Sequence, residues 1–118
     1  MAKILLVDDS NFVRVRLSNI LMPLGHTMIE AQDGQEAVDS YTLNKPDVVI
    51  MDITMPVKDG VVALKEILVI DEAAKVIMLT NNNNAKIIME TMRLGAKKYL
   101  VKPIEEDKVI EAVNQLLK

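Results

Sequence analysis

The sequence predicts an α/β domain in which helices cover both faces of an open parallel sheet. Short apolar runs rich in branched residues alternate with segments in which apolar residues recur every three or four positions. The runs are continuously apolar over about four residues, which is typical of strands buried on both faces. Five strand–helix units joined by right-handed crossovers would form a doubly wound sheet.

Four predicted strands are short apolar runs, at residues 4–7, 48–51, 76–79 and 99–101, and a fifth is predicted at residues 27–31. The run at 27–31 mixes polar and apolar residues, so we expect it at an edge of the sheet.

The predicted helices follow the strands, and each has an apolar stripe at helical spacing. The first stripe consists of Val13, Leu17, Ile20, Leu21 and Leu24. The other stripes are Ala37–Val38–Tyr41, Val61–Leu64–Ile67–Leu68, Ile88–Met92 and Val109–Ala112–Val113–Leu116–Leu117. Asp33-Gly34, Asp59-Gly60 and Gly95 are predicted turns or helix caps between these elements.

Length and composition limit the classes of protein that fit. A chain of 118 residues predicts one domain spanning residues 1–118. Its net charge of −3 argues against a nucleic-acid binder, which would normally carry a basic face. The absence of cysteine excludes disulfides and thiolate metal sites. No apolar run approaches the ~18 residues of a membrane span, and no signal peptide is evident, so we expect a cytoplasmic location without membrane insertion.

Polar residues follow four of the predicted strands directly: Asp8 and Asp9 the first, Asp52 the third, Thr80 the fourth and Lys102 the fifth. If the strands are parallel, these side chains meet at one edge of the sheet, where such folds bind ligands. Three carboxylates in one cleft repel each other, and Mg²⁺ is a cation that suits oxygen ligands of this kind. A lysine and a hydroxyl beside them can hold phosphoryl oxygens, so the pattern indicates phosphoryl chemistry on a carboxylate nucleophile.

Each of these residues also has a purely structural interpretation. Asp9 or Ser10 can cap the first helix, and Thr80 can cap the fourth. Lys102-Pro103 can simply end a strand. For any single residue, the structural interpretation is the better one. Taken together, however, the structural interpretations do not explain why such residues follow four strands at the same edge of the sheet.

The motifs at these positions, taken in order along the whole chain, resemble the receiver domain of bacterial two-component response regulators. They are Val7-Asp8-Asp9-Ser10, Met51-Asp52-Ile53-Thr54-Met55-Pro56 with Asp59-Gly60, Leu79-Thr80, Gly95-Ala96 and Lys102-Pro103. The single-domain size and residues 9–12 with Arg14 are similar to the CheY-like chemotaxis group. The resemblance implies a flavodoxin-like sheet with strand order 2-1-3-4-5, flanked by five helices.

The resemblance also implies a role for each site residue. Asp52 is the expected phosphoacceptor, with Lys102 and Thr80 binding phosphoryl oxygens. Mg²⁺ is the expected cofactor, bound by Asp9, Asp52 and the backbone carbonyl of Thr54, with Asp8 acting through a water molecule. Thr80 and Tyr99 are the expected switch residues, and the peptide bond before Pro103 is expected to be cis.

The function implied is that of a phosphorylation-driven switch, with no reaction beyond gaining and losing its own phosphoryl group. A sensor histidine kinase is the expected phosphodonor, and the output partner is expected to be a protein such as the flagellar motor switch. We expect a monomer whose fourth helix, fifth strand and fifth helix form the output surface.

One segment departs from the family pattern. Asn81 stands where the family usually has a small residue, and it begins a run of four asparagines at positions 81–84. Asparagine has a low helix propensity, so we expect the fourth helix to begin late. The larger side chain at position 81 is also expected to crowd the phosphoryl pocket.

Three other interpretations are open. A phosphatase of the haloacid-dehalogenase type also uses an Asp nucleophile after a strand, but it needs a second Asp two residues on, where this chain has Thr54. A flavodoxin would need aromatic residues around its flavin, and this chain contains no Trp. The chain can also be the isolated receiver of a longer regulator, although its start at Met and its end at the last apolar stripe allow a stand-alone protein.

Overall fold

Five strands form a single parallel sheet with the order β2-β1-β3-β4-β5, which confirms the predicted fold class. The structure is a computed structural model that describes residues 1–81 and 84–118. The strands are β1 (Lys3–Val7), β2 (Thr27–Ala31), β3 (Val48–Asp52), β4 (Val76–Thr80) and β5 (Lys98–Val101). The mixed strand β2 lies at an edge as predicted. β3 and β4 are apolar up to the polar residue that ends each of them, and both are buried along their whole length.

Helices cover both faces of the sheet. They are α1 (Asn11–Leu21), α2 (Gly34–Asn44), α3 (Gly60–Ile70), α4 (Ala85–Leu94) and α5 (Glu106–Leu117). α1 packs with α5 on one face, whereas α2 packs with α3, and α3 with α4, on the other.

Alternate residues of the central strands face the two sides, so the domain has two cores. Leu5, Val49 and Met78 pack under α2 and α3, while Leu6, Ile50 and Ile77 pack under α1 and α5. This alternation explains why the central strands are continuously apolar: every position faces a helix.

Side chains at three helix starts act as N-caps. Ser10, Asp33 and Asp59 each accept a hydrogen bond from the backbone N–H three residues further on. Of the two caps considered for the first helix, the structure therefore selects Ser10 and leaves the Asp9 carboxylate available for other contacts.

Two apolar stripes differ from the prediction. α1 ends at Leu21 and continues as a 3₁₀ helix over Met22–Leu24, because Pro23 cannot continue an α-helix, and Leu24 is therefore 46% exposed. In α4 the fully buried side chain is Thr91, whereas Ile88 is half-buried and Met92 is exposed.

α4 begins at Ala85, after the asparagine run, as its sequence predicts. Within that run, Asn82 and Asn83 lie outside the described residues, so the expectation for them stays a prediction. None of the helices in the described part of the chain is long and apolar enough to cross a membrane.

Candidate functional site

The carboxyl ends of the strands bring the predicted residues together at one edge of the sheet. β1 and β3 are neighbours, so the loop after β1 places Asp8 and Asp9 beside Asp52 at the end of β3. One carboxylate oxygen from each of these three residues lies within 4.8 Å of the others. Thr80 ends β4 and Lys102 follows β5, on the same edge.

Asp52 is held deep in this pocket. Its side chain is 10% exposed, and its Oδ1 accepts a hydrogen bond from the backbone N–H of Thr54 at 3.3 Å. Burial and the nearby charge of Asp8 raise the pKa of the Asp52 carboxyl, although Lys102 opposes the shift. Gly60 allows α3 to start against this strand, because a Cβ there would collide with the carbonyl oxygen of Asp52.

Lys102 bridges two of the carboxylates. Its Nζ lies 3.0 Å from Asp8 Oδ2 and 3.3 Å from Asp52 Oδ2. Burial alone would lower the pKa of Lys102, but contact with Asp8 and attraction to both carboxylates outweigh it, so the pKa is raised and the ammonium stays charged. The peptide bond between Lys102 and Pro103 is cis, the geometry that the resemblance implies.

Asp8 supplies the observation that tests whether a cation fits. Its Oδ1 accepts a hydrogen bond from the backbone N–H of Ser10 at 2.9 Å. Its Oδ2 is fully buried beside Lys102, but no group in the described residues donates a hydrogen bond to it with good geometry. A buried, under-bonded carboxylate oxygen next to two further carboxylates matches the hard oxygen ligands that Mg²⁺ prefers, so these residues fit the ion.

The remaining predicted residues surround this cluster at different depths. Thr80 is buried, and its hydroxyl donates a hydrogen bond to the Asn81 carbonyl at 3.0 Å. The hypothesis that Thr80 caps the fourth helix is wrong, because β4 continues to Thr80 and the N-cap of α4 is Asn84. Thr54 is exposed at the rim, and Tyr99 is 48% exposed on β5.

Arg14 is a site neighbour to which sequence reasoning assigned no role. It is 7% exposed in α1, and its guanidinium donates a hydrogen bond to the backbone carbonyl of Asp8 at 2.6 Å. The signal was its spacing, because positions 14, 17 and 21 share one helix face and the other two are core leucines. A charged residue on a buried face marks a position where polar groups are held inside the fold.

A doubly wound sheet with three clustered carboxylates and a lysine at its carboxyl edge defines an α/β protein whose pocket suits a divalent cation and an anionic group. The family model for the response regulator receiver domain matches residues 4–114. The chain therefore belongs to the response regulator receiver domain family, which is a signalling family.

Curated relatives are similar along nearly their whole length. Protein CcdB of Bacillus subtilis is 48% identical, covering 99% of this chain and 98% of that protein. The chemotaxis protein CheY of Bacillus subtilis is 42% identical, covering 98% of this chain and 97% of that protein.

Solved structures share the fold. The CheX–CheY complex with beryllofluoride and Mg²⁺ from Borrelia burgdorferi contains a chain that is 35% identical, with a TM-score of 0.93, covering 98% of this chain and 89% of that one. NtrX from Brucella abortus matches with a TM-score of 0.93 at 29% identity, but this chain spans only 26% of it.

Proposed function

We propose that this chain is a two-component response regulator that accepts a phosphoryl group on Asp52 and thereby switches a surface that binds an output protein. The observation that carries the proposal is the contact of the Asp52 carboxylate with Lys102 inside the acidic cluster. A lysine beside a buried carboxylate neutralises the charge that an incoming phosphoryl group would add.

Asp52 is favoured over the other two carboxylates by its accessibility and its partners. Asp8 is 1% exposed, and its Oδ1 is already held by the Ser10 N–H, so a phosphodonor cannot reach it. Asp9 is exposed at the rim of the cluster, where it can serve as a metal ligand. Asp52 alone of the three combines an exposed edge with both Lys102 and the Thr54 N–H at its oxygens.

The transfer is a displacement at phosphorus. An Asp52 carboxylate oxygen attacks the phosphoryl group of a kinase phosphohistidine in line, the P–N bond breaks, and its electron pair stays on the imidazole nitrogen. Lys102 then holds one phosphoryl oxygen, and the Thr80 hydroxyl binds another after leaving the Asn81 carbonyl. Mg²⁺, held by Asp9, Asp52 and the Thr54 carbonyl with Asp8 acting through water, would neutralise charge on the phosphoryl oxygens when bound.

The output surface lies on α4, β5 and α5. Met89 is 73% exposed, Tyr99 48% and Val101 38%, so this face presents apolar side chains that a partner can cover. Since several relatives are chemotaxis proteins, we place the switch in chemotaxis, with a sensor histidine kinase as phosphodonor and an output protein such as the flagellar motor switch. Residues 1–118 act as one cytoplasmic, monomeric domain that supports only its own phosphorylation and dephosphorylation.

Incubation with acetyl phosphate and Mg²⁺, followed by intact-mass measurement, tests the acceptor. We expect the wild-type chain to gain one phosphoryl group and Asp52→Asn to gain none, because an amide cannot form the acyl phosphate. Asp59→Asn is the matched control: Asp59 caps α3 outside the cluster, and asparagine caps equally well, so its labelling should equal that of the wild type. Undiminished labelling of Asp52→Asn would refute the assignment.

A further inference from the structure

The most deeply buried cation near the site is Arg14, whose three guanidinium nitrogens have three different partners. Its Nε donates to Glu30 Oε1 on β2 at 2.8 Å, and its Nη2 donates to Asn11 Oδ1 at 3.2 Å. Its Nη1 donates to the Asp8 carbonyl at 2.6 Å. A buried charge needs such partners, and here one of them is the backbone that leads into the acidic cluster.

The Asp8 carbonyl sets the orientation of the peptide that leads into Asp9. The carbonyl of Asp8 and the amide nitrogen of Asp9 belong to one rigid peptide plane. The Asp8 N–H is also fixed, because it donates to the Ala31 carbonyl at 3.2 Å. The segment leading to Asp9 is therefore held by β2 on one side and by Arg14 on the other, whereas Asp9 itself is exposed at the rim.

Glu30 completes the arrangement from the edge of the sheet. It lies on β2 beside Leu6 of β1, and its side chain is 52% exposed, so it can balance the guanidinium charge without being fully desolvated itself. The ion pair directs the guanidinium from α1 toward the sheet edge, where the Asp8 carbonyl lies.

We infer that Arg14 is a positioning residue for the metal site: secured by Glu30, it fixes the Asp8–Asp9 peptide so that the Asp9 carboxylate faces Asp52. This inference rests on the proposed function, in which Asp9 and Asp52 bind Mg²⁺. Arginine is required because its planar fork reaches three acceptors at once, whereas the single ammonium of lysine cannot hold all three in this geometry. Partners that orient metal ligands commonly change metal affinity by 10- to 100-fold when removed, an order-of-magnitude range.

The test is a MgCl₂ titration of the full chain, with the dissociation constant taken from amide NMR shifts. We expect Arg14→Lys, which keeps the charge, to weaken Mg²⁺ binding by roughly tenfold or more. The rate at which acetyl phosphate labels Arg14→Lys should be lower than that of the wild type at low Mg²⁺ and should equal it at saturating Mg²⁺. A purely structural role would lower the Tm in EDTA without changing the dissociation constant.

The control is Arg16→Lys. Arg16 lies on the same helix and also donates to a backbone carbonyl, that of Ile104 at 2.7 Å, so the chemical change is the same at a different place. Its Mg²⁺ affinity should match that of the wild type. Glu30→Ala, a change at a half-exposed position, should weaken binding less than Arg14→Lys and serves if the latter fails to fold.

If the wild type binds Mg²⁺ and Asp9→Asn does not, the proposed metal site stands. In that case, an unchanged Mg²⁺ affinity in both Arg14→Lys and Glu30→Ala would overturn the inference about Arg14 alone. If the wild type does not bind Mg²⁺, the proposed metal site and the inference both fail.

Discussion

Val57, in the loop after Asp52, adopts a backbone conformation that valine disfavours. Its φ is +67°, and the turn around it is closed by a hydrogen bond from the Lys58 N–H to the Pro56 carbonyl at 2.7 Å. A β-branched residue is strained in the left-handed region. Because Val57 is 84% exposed, side-chain packing does not offset this strain.

Val57→Asn should therefore stabilise the fold, since asparagine tolerates positive φ far better than valine. We expect the free energy of unfolding to rise by ~1 kcal/mol, measured by urea denaturation with an unchanged m-value. Val69→Asn is the control, because Val69 is equally exposed but lies within α3, where the backbone is helical and the two residues have similar propensities. A Val57→Asn protein no more stable than the wild type would contradict the strain.

At the scale of elements, the strands were predictable and the exposure of the helix faces was less so. The fully buried β3 and β4 are recognisable because every residue before their last is apolar, whereas β2 is recognisable as an edge strand because it mixes polar and apolar residues. The burial of a helical stripe depends on what packs against it. α4 contacts α3 and β4, and Thr91 is its buried residue, whereas Met89 and Met92 remain exposed. Nothing in the spacing of Ile88 and Met92 predicts this difference.

The same limit applies to the site. The residues at the strand ends were predictable from the pattern of apolar runs, but the contacts of Arg14 were not, because they join α1 to β2 across the sheet edge. Likewise, the positive φ of Val57 has no sequence signal, since valine is not a residue that marks such turns.

The exposed face of α4 and β5 leads to a prediction about the switch. Beryllofluoride with Mg²⁺, a phosphoryl mimic, should draw the Thr80 hydroxyl away from the Asn81 carbonyl and shift the equilibrium between two states of this face. Amide NMR shifts should then extend from the pocket into α4, β5 and the start of α5.

Two variants of Thr80 separate this coupling from simple ligand binding. Thr80→Val removes the hydroxyl at nearly constant shape, so the shifts near Asp9 and Asp52 should persist while those in α4 and β5 are lost. Thr80→Ser keeps the hydroxyl and should retain both sets. Shifts confined to the pocket in the wild type would rule out a switch of this kind.

At the scale of the whole molecule, two apolar cores stabilise a domain that carries an acidic cluster at one sheet edge. The raised pKa of Asp52 means that the folded chain holds this proton more tightly than the unfolded chain does. Stability therefore falls as the pH rises from the ordinary Asp value of 3.8 through the raised pKa, and the full cost of ionising Asp52 is present above that window. The pocket that suits a cation and a phosphoryl group is thus a source of instability when neither is bound.

Mg²⁺ should reverse this instability, because a ligand that binds only the folded state stabilises it by mass action. At ten times the dissociation constant the gain is ~1.4 kcal/mol, which corresponds to a rise in Tm of about 5 °C for a domain of this size. Thermal melts at neutral pH in MgCl₂ and in NaCl of equal ionic strength measure the difference.

The Asp52→Asn variant should have a higher Tm than the wild type in EDTA, because the substitution removes the buried charge. Its Tm should nevertheless rise little in MgCl₂, because the substitution also removes a metal ligand. Asp9→Asn should lose the response to MgCl₂ as well. A wild-type shift no larger in MgCl₂ than in NaCl would contradict the metal site. An Asp52→Asn protein less stable than the wild type in EDTA would contradict a destabilising charge on Asp52 in the folded domain.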